Sequence, residues 1–510
     1  MGWMRLLGRL AILASALLVG VLIRNRLRLR RIPGPFWAGY TNLWRVYYVK
    51  RGDAQNTYMK VHKKYGKVVR VGPSAVSVSG LDAIHTIYNV QDKFPKSQFY
   101  TPQQFIFQGK PYENLFNTTN EDFHHIIKKP IMRAYAMSTI VEYEPFVNST
   151  TDLFLKKLEE LSGQTIDFAA WLQYYAFDVI GEMTFSRRFG FLEHGDDFAG
   201  IIQSLRDLTP IQILGQIPWV DTYFRKPYFK YQPKPLTSPV VKITMSHMQE
   251  RLKKVRYDDK EFLSENGRRD FLSRFLAARQ AYPDVVDDFR VIAYTTTNIV
   301  AGSDSTAITL RAIFYHLLRN PDTMKALLVE IDTAFKTGRI SARVTWPESQ
   351  NLPYLDAVVK EALRVHAAVG LPLERVVSKP VVVDGHEIPA GTTVGINAWV
   401  MHRDESIFGE DAALWRPERW IHASEEEKKI MNRGMFTFGS GTRICIGRNI
   451  SMLEIYKLVP TLLLKFNFEL AEPEKDWTLF NSVFVHQRNL KITVRLREDV
   501  TWTDKSTADV

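Results

Sequence analysis

A single cysteine, Cys445, is the feature that most restricts how this chain of 510 residues can fold. One cysteine excludes a disulfide scaffold, a Cys-X-X-Cys redox motif and any zinc site that needs two or more thiolates from the same chain. The chain must therefore rely on a hydrophobic core, for which 45% hydrophobic residues suffice. At ~150 residues per domain, the length predicts about three domains or one large domain.

The N-terminus carries an uncharged apolar segment at residues 10–23, followed by an arginine-rich stretch at residues 24–31. The segment is shorter than the ~20 residues that a spanning helix prefers, so a signal-peptide core or a buried helix are alternatives. No small-residue cleavage site follows, and cationic flanks stay in the cytosol, so we favour a retained single-pass anchor. The net charge of +12 is concentrated beside this segment, which argues against nucleic-acid binding.

Pro33-Gly34-Pro35 follows the arginines and cannot continue a helix, so it marks a boundary. We predict an anchor with its basic flank at residues 1–31, a catalytic domain at 32–500 and a C-terminal tail at 501–510.

The body is predicted to be mainly α with a small β region. Alternation around Gly72-Pro73 predicts a hairpin at residues 67–79, and valine-rich runs predict strands at 375–399. Nearly everything between them has helical periodicity. The clearest helical segments are residues 150–161, 168–182, 242–255, 286–318 and 324–335. No linker divides them, so we expect one large domain.

The segment 286–318 is long enough to cross the whole body, and its middle reads AGSDST at residues 301–306. A glycine and several small polar residues weaken a helix interior. Either the segment forms a groove that exposes backbone to a ligand, or it permits close helix packing.

Cys445 lies in the glycine-rich segment 438–447, which reads FGSGTRICIG. Glycines let backbone N–H groups point at one atom, and Arg443 and a following helix would also stabilise a thiolate there. A single thiolate ligand suits heme iron, whose equatorial ligands come from the porphyrin. A small buried hydrophobic residue is the alternative for a solitary cysteine.

Residues 438–447 resemble the heme-binding loop of the cytochrome P-450 monooxygenases, with the phenylalanine, two glycines, arginine, cysteine and final glycine at the family's spacing. Residues 301–306, 361–364 (EALR) and 417–420 (PERW) resemble three further motifs, in the family's order. The resemblance covers essentially the whole chain. It is closest to microsomal, filamentous-fungal members of the pisatin-demethylase-like kind, and it implies the cytochrome P-450 fold, anchored in the endoplasmic reticulum membrane.

The resemblance implies heme b (iron protoporphyrin IX) as cofactor, with the Cys445 thiolate as its axial ligand. Phe438 and Gly439 in the loop and Gly302 in the groove are expected to shape the heme site.

Two heme propionates need cationic partners, and the resemblance assigns Arg443 and Arg375 to them. A third contact departs from the family's pattern, because this chain offers His125 and Lys129 where an aromatic residue or histidine and an arginine are usual. Lysine lacks the bidentate fork of arginine. A solvated basic face is the alternative for this segment.

Glu361, Arg364 and Arg419 are expected to form a buried ionic network that holds the cysteine loop, as the family implies. In the groove, Asp304 and the hydroxyl beside it are expected to deliver protons for the cleavage of dioxygen. Ser305 occupies the usual threonine position, and Thr306 is the alternative.

The implied reaction inserts one oxygen atom of O2 into a lipophilic small molecule by hydroxylation, epoxidation or oxidative demethylation, in fungal secondary-metabolite biosynthesis. The chain shows no flavin or nicotinamide fingerprint, so NADPH-cytochrome P-450 reductase is the expected electron donor. A heme-thiolate isomerase or dehydratase that needs no external electrons, and a non-catalytic heme sensor, are the alternatives.

Overall fold

The computed structural model describes residues 2–91, 93–107, 110–198, 200–206, 209–231, 239–254, 262–264, 267–481 and 483–498. Within these ranges the chain is mainly α-helical with small sheets, which confirms the predicted fold class. The predicted tail at 501–510 lies outside the described residues.

The α-helices of the described ranges are α1 (Gly2–Arg28), α2 (Leu43–Arg51), α3 (Ala54–Tyr65), α4 (Leu81–Ile87), α5 (Glu121–Lys128), α6 (Met137–Ile140), α7 (Glu144–Glu160), α8 (Phe168–Phe185), α9 (Phe191–His194), α10 (Ile201–Arg206), α11 (Thr209–Leu214), α12 (Pro218–Val220), α13 (Lys226–Tyr231), α14 (Pro239–Lys254), α15 (Phe271–Ala281), α16 (Asp288–Arg319), α17 (Pro321–Lys336), α18 (Trp346–Ser349), α19 (Pro353–Val365), α20 (Ala398–Met401), α21 (Glu405–Phe408), α22 (Arg419–His422), α23 (Glu425–Gly434) and α24 (Arg448–Lys465). The strands are β1 (Val68–Gly72), β2 (Ala75–Val78), β3 (Phe105–Phe107), β4 (Lys110–Tyr112), β5 (Thr165–Asp167), β6 (Arg375–Val376), β7 (Val381–Val383), β8 (His386–Ile388), β9 (Thr393–Ile396), β10 (Phe466–Leu470), β11 (Thr478–Asn481), β12 (Val485–Arg488) and β13 (Lys491–Leu496).

Helix α1 contains the segment Trp3–Arg28, which is the one described helix long and apolar enough to cross a membrane. It is a candidate membrane anchor. Its end is fastened to the body, because the Arg70 side chain on β1 donates to the Arg26 carbonyl at 3.0 Å and also to the Asn25 carbonyl. Leu29 and Ile32, directly after the helix, are buried in the core.

The predicted hairpin at residues 67–79 forms β1 and β2, which pair antiparallel with Val68 opposite Val78. The second predicted strand region supplies β6 to β9, and β9 pairs parallel with β2 and antiparallel with β6. This sheet, in the order β1-β2-β9-β6, packs over its own apolar cluster beside the larger helical core.

Helix α16 crosses the helical core and supplies one wall of the site. The Asp287 carboxylate caps its start by accepting from the Arg290 N–H at 2.7 Å, and Pro321 follows its end. Its 32 residues run ~48 Å at ~1.5 Å per residue. Gly302 lets it approach α8, because a Cβ there would lie 3.2 Å from the Ile180 side chain. Close helix packing, one of the two predicted explanations for the AGSDST segment, is therefore confirmed.

Candidate active site

A cavity lies between the Cys445 loop and the middle of α16. The loop contributes Cys445 and Phe438, while α16 contributes Ala301, Gly302 and Ser305. This part of α16 therefore both lines the cavity and packs closely on α8. Many of the other lining residues are apolar or aromatic, and they include Tyr100, Leu115, Phe116, Tyr135, Leu363, Ala368, Val369, Leu373, Ile446, Ile450 and Phe484.

The loop depends on glycines at positive φ. Gly439 has φ +70° and Gly441 has φ +72°, a region that disfavours side chains. A Cβ on Gly441 would also clash with the Tyr88 carbonyl, and a Cβ on Gly439 would lie 3.1 Å from Leu373. The Cys445 N–H closes the loop by donating to the Phe438 carbonyl at 2.9 Å. Gly439 supports this turn but is not among the residues that line the cavity.

The Cys445 side chain faces the cavity, so its accessible surface is cavity surface although protein surrounds it. Burial raises the pKa of the thiol, while the N–H groups of Gly447 and Arg448 and the Arg448 charge lower it. The cation acting on the sulfur is thus Arg448 and not Arg443, which corrects the prediction. Because burial dominates, the bare protein favours the thiol, and a metal cation would supply the charge that stabilises the thiolate.

The structure brings Glu361, Arg364 and Arg419 together in a buried network. Arg364 donates to both Glu361 carboxylate oxygens, at 2.7 and 2.9 Å, and Arg419 donates to one of them at 3.1 Å. The Trp420 indole is a third side-chain partner of Glu361, to which it donates at 3.0 Å, and the sequence did not suggest it. Arg419 also donates to Asp411 at 2.7 Å, so every charge in the network is paired, as buried charges require.

His402, another residue that the sequence did not suggest, joins this network to the cysteine loop. Its Nδ1–H donates to the Arg364 carbonyl at 2.9 Å, and its Nε2 accepts from the Phe436 N–H at 2.8 Å. Burial lowers the pKa of His402 to about 3, so the ring is neutral and can do both. Thr437 adds a direct bond by donating to the Leu363 carbonyl on α19 at 2.8 Å.

Basic side chains gather at the edge of the cavity. Arg375 and Arg443 both line it, as predicted for ligands of an anionic group. Arg443 is held by the Glu121 carboxylate, with Nη2 2.8 Å and Nε 3.0 Å from Oε1. Arg375 is buried and lies over the Tyr88 ring.

The prediction that His125 and Lys129 face the site is wrong. Both are exposed, and His124 and Lys128 line the cavity instead. Successive residues of a helix differ in direction by about 100°, so an error of one position in α5 turns both side chains away. The burial of Ile127 and Ile131 sets this phase, and their apolar spacing was the signal that could have found it.

Lys96 is a further cavity residue that the sequence did not suggest. It is only 7% exposed, its ammonium donates to the Phe116 carbonyl at 2.6 Å, and it lies 4.0 Å from the centre of the Tyr100 ring. Burial, Arg375 and Arg443 lower its pKa well below the ordinary value.

This crowding of cations fits a group that carries carboxylates. The pKa of His124 is lowered to about 3 by burial and by the charges of Arg443, Lys128, Lys96 and Arg375. The acid that opposes them in these interactions is Glu121, which pairs with Arg443. A dianionic group in the cavity would relieve this repulsion, so the residues present fit the two propionates of heme.

Asp304 is not among the residues that line the cavity, which corrects the prediction that it lies beside the ligand. Its Oδ1 accepts from the Gln173 amide at 2.6 Å, and its Oδ2 lies 3.6 Å from His486 Nε2. Gln173 cannot turn freely because its Oε1 accepts from Arg311.

Ser305 and Thr306 are both among the residues that line the cavity. Ser305 Oγ donates to the Ala301 carbonyl at 2.8 Å, whereas Thr306 Oγ1 is buried without a hydrogen-bond partner. Thr306 therefore has a hydroxyl whose donor and acceptor capacities are both unused by the protein.

Comparison with known proteins supports the same family assignment. The cytochrome P-450 family model matches residues 33–494. The cytochrome P-450 monooxygenase cicH of Emericella nidulans is 43% identical over 484 residues, which cover 94% of this chain and 96% of that protein. A cytochrome P-450 monooxygenase of Aspergillus terreus is 41% identical over 452 residues, covering 88% and 92%. The cytochrome P-450 monooxygenase asR2 of Sarocladium schorii is 37% identical over 493 residues, covering 94% and 95%.

Proposed function

Because this chain belongs to the cytochrome P-450 family of oxidoreductases, we propose that it is a heme-thiolate monooxygenase that inserts one oxygen atom of O2 into a lipophilic small molecule, by hydroxylation, epoxidation or oxidative demethylation. The observation that carries this proposal is the single cavity that the Cys445 thiol, the α16 hydroxyls and the cation cluster share.

The family implies a heme-thiolate iron cofactor, which we take to be heme b. Cys445 would ligate its iron, and Arg375, Arg443, Lys96 and Lys128 would hold its propionates. When bound, the heme supplies the oxygen-activating chemistry that side chains lack, and thiolate ligation favours O–O cleavage.

The α16 hydroxyls would hold and move protons in the cavity. Thr306 has no competing partner, so its hydroxyl can accept a proton and donate one. Ser305 keeps free lone pairs while it donates to the Ala301 carbonyl. Asp304 is held by Gln173 and does not line the cavity, so it would reach the cavity only after its side chain rotates or through its neighbour Ser305.

The apolar lining supports a lipophilic substrate. Aromatic and aliphatic side chains bind such a molecule and exclude water from the reacting atoms. Segments 99–116, 368–373 and 480–485, which the family resemblance assigns to the pocket, each contribute lining residues, and the described part of segment 205–217 contributes none.

Monooxygenases of this family take electrons from a redox partner, and we propose NADPH-cytochrome P-450 reductase on the same membrane. The candidate anchor α1 supports residence in the endoplasmic reticulum membrane, with the catalytic body in the cytosol. Similarity to monooxygenases of filamentous fungi supports a role in secondary-metabolite biosynthesis.

The test compares the full-length protein with its Cys445→Ser variant, both expressed with added heme precursor. The wild type is expected to show a red-shifted Soret band when reduced under carbon monoxide, and the variant is expected to lack it. A folded, heme-loaded wild type without this band would refute the proposal.

Dependence of substrate oxidation on NADPH and reductase then separates a monooxygenase from an isomerase or a sensor. The Asp304→Asn variant tests proton delivery separately, because we expect it to release more hydrogen peroxide per NADPH consumed while retaining the Soret band. Unchanged coupling would remove Asp304 from proton delivery.

A further inference from the structure

The cavity wall formed by α16 carries a hydroxyl that differs from most of the others on the same helix. The hydroxyls of Thr296 and Thr306 make no hydrogen bond within the described part of the chain, but their oxygens are buried. Thr295, Ser303, Ser305 and Thr309 each donate a hydrogen bond to the carbonyl four residues earlier, at 2.7 to 3.0 Å. This back-bonding is the usual way for a helix to satisfy a hydroxyl donor. The Thr297 hydroxyl lines the cavity and makes no such bond to the described residues.

The partner that Thr297 does have can only donate to it. The Asn114 side-chain oxygen accepts from the N–H groups of Phe116 and Asn117, at 2.9 and 3.0 Å. This fixes the orientation of the Asn114 amide, whose nitrogen donates to Thr297 Oγ1 at 3.3 Å. An amide nitrogen cannot accept a hydrogen bond, so the Thr297 O–H remains as a donor that can turn into the cavity.

The neighbouring polar residue, Asn298, does not compete for this role. Its oxygen accepts from the Tyr135 hydroxyl at 3.3 Å, and its nitrogen donates to Thr184 at 3.1 Å. Thr297 therefore presents an available hydrogen-bond donor to the cavity, whose lining also includes the apolar side chains of Leu115 and Phe116.

We propose that the Thr297 hydroxyl donates a hydrogen bond to an oxygen of the substrate, so that the substrate is a lipophilic molecule with a carbonyl, ether or hydroxyl oxygen remote from the oxidised carbon. This inference rests on the proposed monooxygenase function. Thr297, Ala301 and Ser305 lie on one stripe of α16, one turn or ~6 Å apart. With oxidation at the level of Ala301 to Ser305, the acceptor oxygen lies ~6 to 12 Å from the oxidised carbon.

The test uses a matched pair of probes, 1-(4-acetylphenyl)imidazole and 1-(4-isopropenylphenyl)imidazole. The imidazole binds the heme iron and gives a spectral shift, and the two probes differ only in a carbonyl oxygen replaced by a methylene group. Titrations use full-length protein that already shows the reduced carbon monoxide band. If the protein lacks that band, the proposed monooxygenase function is refuted. If the band is present, the titrations test the role of Thr297 separately.

Wild type is expected to bind the acetyl probe about three- to tenfold more tightly than the isopropenyl probe, as one neutral hydrogen bond allows. The Thr297→Val variant, which keeps the side-chain shape, is expected to lose this preference and to bind the isopropenyl probe as the wild type does. The Thr296→Val variant is the matched control, because Thr296 is adjacent and buried but does not line the cavity, and it should keep the preference.

Two results would overturn the inference. One is the absence of an acetyl preference in the wild type, whether both probes bind equally or neither binds. The other is a preference that survives in Thr297→Val, or that Thr296→Val removes equally.

Discussion

Replacing Arg364 with alanine is expected to lower the free energy of unfolding by about 3 to 5 kcal/mol and to prevent heme retention. The guanidinium is fully buried and donates to both oxygens of Glu361. It also donates to the carbonyls of His402 at 2.7 Å, Ala412 at 2.5 Å and Leu414 at 2.7 Å. With alanine at this position, the buried Glu361 carboxylate would lose one of its cationic partners. The three carbonyls would each lose a hydrogen-bond donor.

The remaining partners keep the loss within that range. Glu361 would still accept from Arg419 and Trp420, so its charge would not be entirely stranded. Proteins of ordinary stability unfold with ~5 to 15 kcal/mol, so a loss of this size leaves little margin. The His402 carbonyl and ring would shift with the network, and the cysteine loop would lose its support at Phe436.

The assay is urea unfolding of the detergent-solubilised full-length protein, followed by tryptophan fluorescence, together with iron content per protein. Arg433→Ala is the control, because Arg433 is exposed on α23 and should change stability by less than about 0.5 kcal/mol. Arg364→Lys keeps the charge without the fork and should recover only part of the loss. An Arg364→Ala protein within about 1 kcal/mol of wild type and fully loaded with heme would refute this reasoning.

Three further predictions address the loop, helix α5 and pH. Gly441→Ala should destabilise the loop by about 1 to 2 kcal/mol or more and lower iron content, because its φ is +72° and its Cβ would clash with a carbonyl. Gly338→Ala is the control, because Gly338 has φ +71° but open space around its Cβ and does not line the cavity. Equal iron contents in the two variants would contradict the argument. Lys128→Met should weaken heme retention about tenfold, because it removes a charge-assisted hydrogen bond to a heme propionate. The measurement is the rate of heme transfer to apomyoglobin. Lys129→Met should leave this rate unchanged, and equal rates in the two variants would disprove the orientation of α5. Burial lowers the pKa of His402 from 6.5 to about 3, so on acidification the unfolded chain binds a proton at this histidine before the folded protein does. The stability that depends on neutral His402 is therefore complete above pH 6.5 and is lost as the pH falls towards 3. In urea unfolding at decreasing pH, this residue should lower the free energy of unfolding by up to ~1.4 kcal/mol per pH unit. A His402→Gln variant whose free energy of unfolding depends on pH as steeply as that of the wild type would contradict this prediction.

The elements that were predicted well depend on local information. The hairpin at residues 67–79 follows from alternation around one turn, and α16 follows from apolar spacing sustained over its whole length. The turn around Cys445 could also be predicted locally, because the ability to adopt a positive φ is a property of glycine itself.

The errors at the site have a common physical cause. The family resemblance assigned His125 and Lys129, but a basic run such as residues 124–129 does not reveal which of its residues faces the core. Asp304 does not line the cavity because the Gln173 amide nitrogen, 131 residues earlier in the chain, donates to its carboxylate, while the Gln173 oxygen accepts from Arg311. The partnership with Gln173 cannot be inferred from residues near Asp304.

By itself, the sequence determined the lone thiol, the order of the motifs, the mainly helical architecture and the apolar N-terminal segment, since each is a property of neighbouring residues. Only the tertiary structure decided that His124, Lys128 and Lys96 line the cavity, and that Thr297 keeps a hydroxyl proton free to turn into the cavity. Those outcomes depend on contacts between segments distant in the chain, where packing and burial select one orientation among several that the local sequence permits.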